Sequence, residues 1–354
     1  MALSPHSRRD FLNPKTLGRL AATLTGGELA PPQSEGAGEG WLYKFRREAM
    51  ATRFEILIEV IDADLAPVAR AGLDRIDRLE AQLTVYRDTS EVCGLNRSAF
   101  EAEVAVEAGL FELLGLSRAL WEETEGCFDV AVHPLLVAWG VFKGPRRTPS
   151  PEEIAAALEV SGMDKVVLNP ERRSVRFSRP GVGINFGAIG KGYALDRVAE
   201  EVRAGGLEHF LLHGGHSSVL ARGSSTWEAG WLVTVVDPTN WDHPVAKVRL
   251  SNEALSTSSE RLETLLAGET SHVLDPRTGR PLEGDLFSVT VKTPSAARAE
   301  GLSTAFLVMG LDKTLEYCKK HPDVGVLAVR RSPQTDGVEM VHAGIPEHSL
   351  EALL

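Results

Sequence analysis

Twelve residues constrain this chain more than any others: Gly181-Val-Gly-Ile-Asn-Phe-Gly-Ala-Ile-Gly-Lys-Gly192, where five glycines lead directly into a helical pattern. Glycine lets backbone approach a ligand closely, and the unpaired N–H groups of a first helical turn suit a phosphate. The run fits neither the G-x-x-x-x-G-K-[ST] nor the G-x-G-x-x-G spacing, so it is not a P-loop or a dinucleotide fingerprint. A tight strand–helix turn would explain the glycines, but it gives no reason for Lys191 to sit among them.

The chain has 354 residues and is 43% hydrophobic, enough for a sizeable core. Lys plus Arg number 38 against 49 Asp plus Glu, a net charge of −11 spread along the sequence. No cationic face is offered to a phosphodiester backbone, so nucleic acid is not expected as a partner. Cys93, Cys127 and Cys318 are too few and too far apart for a C-x-x-C metal site or a disulfide framework. No run of about 18 apolar residues occurs, and no transmembrane segment is expected. Ser7-Arg8-Arg9-Asp10-Phe11-Leu12 resembles the twin-arginine export signal, yet Thr16 to Ala30 is interrupted by Arg19 and Glu28 and lacks a small-x-small cleavage site. Periplasmic export through that signal and a cytoplasmic protein with a vestigial leader both stay open. Residues 1–40 are expected to be leader and flexible linker, with Gly26 to Gly40 rich in Gly, Pro and Glu. Residues 41–354 are expected to form the folded domain.

Phe54 to Val60 has the alternation of a strand, and Leu65 to Tyr86 repeats apolar residues at helical spacing. Further helices are expected at Gly109 to Trp121, Pro151 to Leu158, and Tyr193 to Arg203 with a Gly205-Gly206 cap. Lys165 to Leu168 and Ser174 to Phe177 form the clearest hairpin. Strands follow at Phe210–His213, Trp231–Val236, Val245–Leu250, Phe287–Lys292, Val324–Val329 and Val338–His342, with helices at Ala297–Met309 and Lys313–Lys320. Hairpin-joined strands with interspersed helices indicate an α+β fold.

Three further segments carry candidate chemistry. His272, in Ser271-His-Val-Leu-Asp-Pro-Arg-Thr-Gly-Arg-Pro281, is the side chain type best suited to take a proton from a hydroxyl near neutral pH, although a lone His is commonly structural. Glu300 and Thr304 are four apart and share a helix face. A carboxylate with a hydroxyl suits Mg²⁺, which keeps waters and substrate phosphates as its other ligands, but such a pair also serves as a cap or a solvent-facing arrangement. Gly126-Cys-Phe-Asp129, followed by Pro134-Leu-Leu-Val-Ala-Trp139, offers either an aromatic-lined wall with one carboxylate or a core helix against which Trp139 packs.

Taken in order, the sequence resembles the FAD:protein FMN transferase (ApbE-like) family from about Met50 to Gly310. The resemblance rests on Met50-Ala-Thr52, Ile76-Asp-Arg-Leu-Glu80, Tyr86, Ser90-Glu91, Leu95-Asn96, Gly126-x-Phe-Asp129, Pro134-Leu135 and Trp139. It continues through Phe186-Gly-Ala-Ile-x-Lys-Gly-Tyr-Ala194, Gly214-Gly215, Ala254-Leu-Ser-Thr-Ser258, His272 with Asp275-Pro-Arg-Thr-Gly279, and Leu302-Ser-Thr-Ala305. It implies an α+β fold related to the T-fold, two halves enclosing a flavin cleft. It also implies Mg²⁺-dependent transfer of FMN from FAD to a threonine of an acceptor protein, with release of AMP.

By the same resemblance Met50, Tyr86, Cys127, Phe128, Asp129, Asn185, Lys191 and Val273 would contact FAD. Ala188 through its carbonyl, Glu300 and Thr304 would hold Mg²⁺, and His272 would be the base toward the acceptor. The chain departs from the family pattern where Asn185 replaces the usual Asp and Glu300 replaces the usual metal-binding Asp. The extra methylene moves the carboxylate by about 1.5 Å. Ala131, His133 and Ser259 also differ, as does His213-Gly-Gly-His-Ser-Ser218. An FAD-binding or trafficking protein, or an FAD pyrophosphatase without transferase activity, is the alternative.

Overall fold

A computed structural model describes residues 28–30, 42–225, 229–260, 271, 273–332 and 337–354. The chain opens with strands β1 (Glu28–Ala30), β2 (Leu42–Ala49) and β3 (Thr52–Glu59), a 3₁₀ turn at Val60–Leu65 and helix α1 (Ala66–Leu83). Helix α2 (Glu91–Ser98), strand β4 (Val104–Ala105), helices α3 (Ala108–Glu123), α4 (His133–Ala138) and α5 (Pro151–Glu159), and the hairpin β5 (Val166–Asn169) and β6 (Ser174–Phe177) follow. Next come helix α6 (Gly190–Ala204) and strands β7 (Phe210–Gly214), β8 (Ser218–Arg222), β9 (Trp231–Asp237), β10 (Asn240–Leu250), β11 (Ala254–Ser259), β12 (Leu274–Asp275), β13 (Arg280–Pro281) and β14 (Leu286–Thr293). The chain finishes with helices α7 (Ala296–Met309) and α8 (Leu311–Lys320) and strands β15 (Gly325–Arg331), β16 (Val338–Ala343) and β17 (Leu350–Ala352).

Strand alternation sorts these elements into layers. In β3, Phe54, Ile56 and Ile58 point into the larger core, together with α1 residues Leu73 and Ile76 and α6 residues Leu195 and Val198. Leu57, between them, points to the opposite face and joins Leu211, Trp231, Val248 and Leu255 in a second core. Both faces of the strand are therefore covered. The main sheet, in the order β1-β2-β3-β7-β8-β11-β14-β15-β16, is antiparallel throughout. Its other face is covered by the sheet β17-β10-β9, whose apolar residues fill that second core. The sheet β4-β6-β5 and the short pair β12-β13 stand apart.

The architecture is the expected α+β, with strands β2, β8 and β11 and helix α2 added to the expected elements and local differences in others. Glu28–Ala30, expected within a flexible linker, pairs with β2 as the edge strand, with Glu28 opposite Lys44 and Ala30 opposite Leu42. Strand β10 begins at Asn240 rather than Val245, because an irregular register around Pro244 lets pairing with β9 continue. Helix α6 starts at Gly190 rather than Tyr193, since the Gly190 N–H closes a turn onto the Phe186 carbonyl at 2.7 Å. Its left-handed terminator is Gly206, at φ 92°. The hairpin and α5 form as expected; Ser150 and Glu153 make a reciprocal capping box around Pro151.

Candidate functional site

Helices α6 and α7 meet at the centre of the candidate site. They approach so closely that a Cβ on Gly192 would lie 2.2 Å from the Ala296 carbonyl oxygen, so only glycine fits there. Glu300, on α7 and only 4% exposed, turns its carboxylate toward the start of α6. One oxygen accepts the Gly192 N–H at 2.6 Å, and the other is ion-paired with the Lys191 ammonium. An uninterrupted helix would send the Gly192 N–H to the Ala188 carbonyl. Its diversion to Glu300 leaves that carbonyl without a backbone donor among the described residues.

The expected helix spacing of Glu300 and Thr304 holds, and the Thr304 hydroxyl lies 3.3 Å from the Glu300 carbonyl. Strand β11 approaches the same turn, with Ser258 Oγ 2.9 Å from Ser303 Oγ and 3.1 Å from Thr304 Oγ1. Ser258 and Ser303 lie within Ala254–Ser258 and Leu302–Ala305, two segments of the family resemblance, but are not among the site residues it implies. Ser256 and Ser258 alternate on the strand face toward α7, and that alternation was their available signal.

The other glycine-run residues join this cluster to the loop before α4. Asn185 donates its N–H to the Val130 carbonyl at 2.8 Å, while its side-chain oxygen accepts the Gly187 N–H at 2.8 Å. Asp129 is buried, and its carboxylate accepts the N–H groups of Ala131 at 2.6 Å and Met163 at 3.0 Å. Burial outweighs those two bonds and pushes its pKa up to about 6. Phe128 packs beneath Gly301 in the core rather than lining a wall, and burial pushes the Cys127 thiol up. A cleft of about 570 Å³ opens where Gly126 and Asp129 face Pro276 and Arg277, with Trp121 and Ser161 on its walls. Lys191, Glu300 and Thr304 do not line it.

Tyr86 is 63% exposed, and its ring centroid lies 5.1 Å from that of Phe142. Phe142 in turn meets His133 edge-on at 4.5 Å, and His133 packs over Gly183. This aromatic row, absent from the sequence expectation apart from Tyr86, leads toward Asn185. Met50 sits in the left-handed turn between β2 and β3 and donates its N–H to Glu80 at 2.9 Å. Val273 is tied to Ser271 Oγ at 3.0 Å, and Ser271 also bonds the buried Glu260. Trp139 belongs to a core, packing with Leu135 and Ile154, and donates its indole N–H to the Gly279 carbonyl at 2.8 Å. The proposed base, His272, lies outside the described residues.

The donor chemistry of Ala188, Glu300 and Thr304 fits a hard divalent cation: one buried carboxylate, one hydroxyl and one released carbonyl. Among the described residues no three His, Cys, Asp or Glu side chains gather into one cluster. No helix among the described residues is long and apolar enough to cross a membrane.

This fold, with a lysine–carboxylate cluster at a glycine-rich helix start, defines a class. Residues 50–328 match the model of the ApbE family, and the chain belongs to that family. The FAD:protein FMN transferase of Haemophilus influenzae is 29% identical over 261 residues, covering 71% of this chain and 75% of the relative. The FAD:protein FMN transferase of Klebsiella pneumoniae strain 342 is 30% identical over 284 residues, covering 77% of this chain and 80% of the relative. The apo crystal structure of the Pseudomonas stutzeri flavinyl transferase ApbE superposes with a TM-score of 0.74 at 26% identity, covering 86% of this chain and 94% of that one.

Proposed function

We propose that this chain is an FAD:protein FMN transferase that moves FMN from FAD to a threonine hydroxyl of an acceptor protein and releases AMP. The observation that carries the reading is the meeting of Lys191, Glu300 and Thr304 at the start of α6. The first turn of a helix and an ammonium group together suit a pyrophosphate. The threonine oxygen bonds to the phosphorus of the FMN half, the bond from that phosphorus to the bridging oxygen breaks, and AMP leaves with the bridging oxygen. Mg²⁺, held by Ala188, Glu300 and Thr304, would neutralise pyrophosphate charge and polarise the phosphorus. His272 would take the threonine proton.

Around the reacting phosphates, Tyr86 would offer its exposed ring to the flavin. Met50, Cys127, Phe128, Asp129, Asn185 and Val273 would complete the FAD contacts. Asp129 would act chiefly by fixing its loop, because both of its oxygens already accept backbone N–H groups. The test is incubation of the full chain with FAD, Mg²⁺ and an acceptor domain, followed by in-gel flavin fluorescence and nucleotide chromatography. Covalent flavin on the acceptor with equimolar AMP is expected. FMN and AMP without covalent flavin would make it a pyrophosphatase, and FAD recovered intact would make it a flavin carrier.

A further inference from the structure

We propose that Lys191 is the resident counter-ion of Glu300, and that it must leave the carboxylate for a divalent cation to enter. The displaced ammonium then becomes available to the FAD pyrophosphate. This rests on the reading of Glu300 as a metal ligand.

A carboxylate 4% exposed needs compensation, and Glu300 has two partners of different kinds. The Gly192 N–H is fixed by the start of α6 and holds one oxygen at 2.6 Å. The other oxygen is held by the Lys191 ammonium, whose four-carbon stem is flexible and whose side chain is 25% exposed. Lysine can move into the solvent-facing space while the amide keeps the carboxylate aimed. An ammonium and a divalent cation cannot share one carboxylate oxygen at contact distance without strong repulsion in a buried setting. Occupancy of the oxygen is thus exclusive. Lys191 suppresses metal affinity when flavin is absent, and a pyrophosphate that attracts Lys191 raises it. Linkage requires the converse, so metal raises affinity for FAD.

The experiment is a Mn²⁺ titration of the full chain without FAD, read by electron paramagnetic resonance, on wild type, Lys191→Met and Glu300→Gln. Lys191→Met is expected to bind Mn²⁺ at least tenfold more tightly than wild type, and Glu300→Gln to lose binding. Unchanged or weaker binding by Lys191→Met, with Glu300→Gln still inactive in binding, overturns the counter-ion role and leaves the metal site standing. Unchanged binding by Glu300→Gln removes the metal site itself, and the proposal with it. A second measurement needs no variant: reductive methylation of Lys191 in wild type, quantified by peptide mass spectrometry. Its rate is expected to rise at least threefold with Mg²⁺, and an equal or lower rate overturns the proposal.

Discussion

Helices α6 and α7 each lend a carboxylate to the start of the other, and the two ends are built differently. Asp196 of α6 accepts the Ala296 and Ala297 N–H groups at 2.9 Å each and the Ser295 hydroxyl at 2.8 Å. Its donors are neutral and held by the helix they begin. Glu300 of α7 has one such donor, Gly192, and otherwise depends on the movable ammonium of Lys191. The first arrangement is a permanent cap, whereas the second leaves half of a carboxylate open to exchange. Burial alone does not separate structure from chemistry here; the mobility of the partner does.

The largest effect is expected at the permanent end. Asp196→Ala strands two N–H groups and a hydroxyl at the junction of the helices, and should cost about 4 kcal/mol in urea unfolding. A loss below about 1 kcal/mol would break the distinction between the ends.

Asp129 is a third carboxylate held by backbone N–H groups, and it sharpens the comparison through pH. Its folded-state pKa of about 6 lies above the ordinary value of 3.8, so the folded protein binds the proton more tightly between those values. Its contribution to stability is present below about pH 4 and falls as pH rises toward 6, by about 3 kcal/mol. Asp129→Asn should flatten this slope relative to wild type when unfolding is measured at pH 4 and pH 7. Parallel curves would mean that its two amide bonds already balance the burial.

Glu300→Gln should cost only about 1 kcal/mol, because its amide oxygen still accepts the Gly192 N–H and Lys191 can turn to water. AMP release from FAD should nevertheless fall at least a hundredfold. Equal losses of stability at Glu300 and Asp196 would make both ends caps.

The legibility of these elements in the sequence follows the same division. Local periodicity revealed α1, α3 and most sheet strands, since apolar spacing is a property of each segment. It also placed Glu300 and Thr304 on one helix face. It did not reveal β11 as a central strand, because Ser256 bonds Ser218 on β8 and Ser258 bonds Ser303 on α7 where apolar side chains would ordinarily signal burial. Lys191 stood out among glycines, but its partner lies 109 residues away and no local pattern reports such a pairing. The choice between wall and core around Phe128 stays open in the sequence for the same reason: the Gly301 surface it packs on belongs to a helix far along the chain.

The smallest structural effect is expected at Tyr86, which carries the comparison to uncharged groups. Its ring is 63% exposed and rests against Phe142, so Tyr86→Ala removes little buried surface and should change stability by less than about 0.5 kcal/mol. The exposed face is the part of the aromatic row open to a flat flavin, and its loss should weaken FAD binding about tenfold by fluorescence quenching. Tyr86→Phe should retain wild-type affinity, because stacking uses the ring and not the hydroxyl. Phe142→Ala should weaken binding as well as stability, since Phe142 braces Tyr86 from the core side. If Tyr86→Ala binds FAD normally while Phe142→Ala does not, the flavin rests on the inner part of the row and Tyr86 is only its exposed edge.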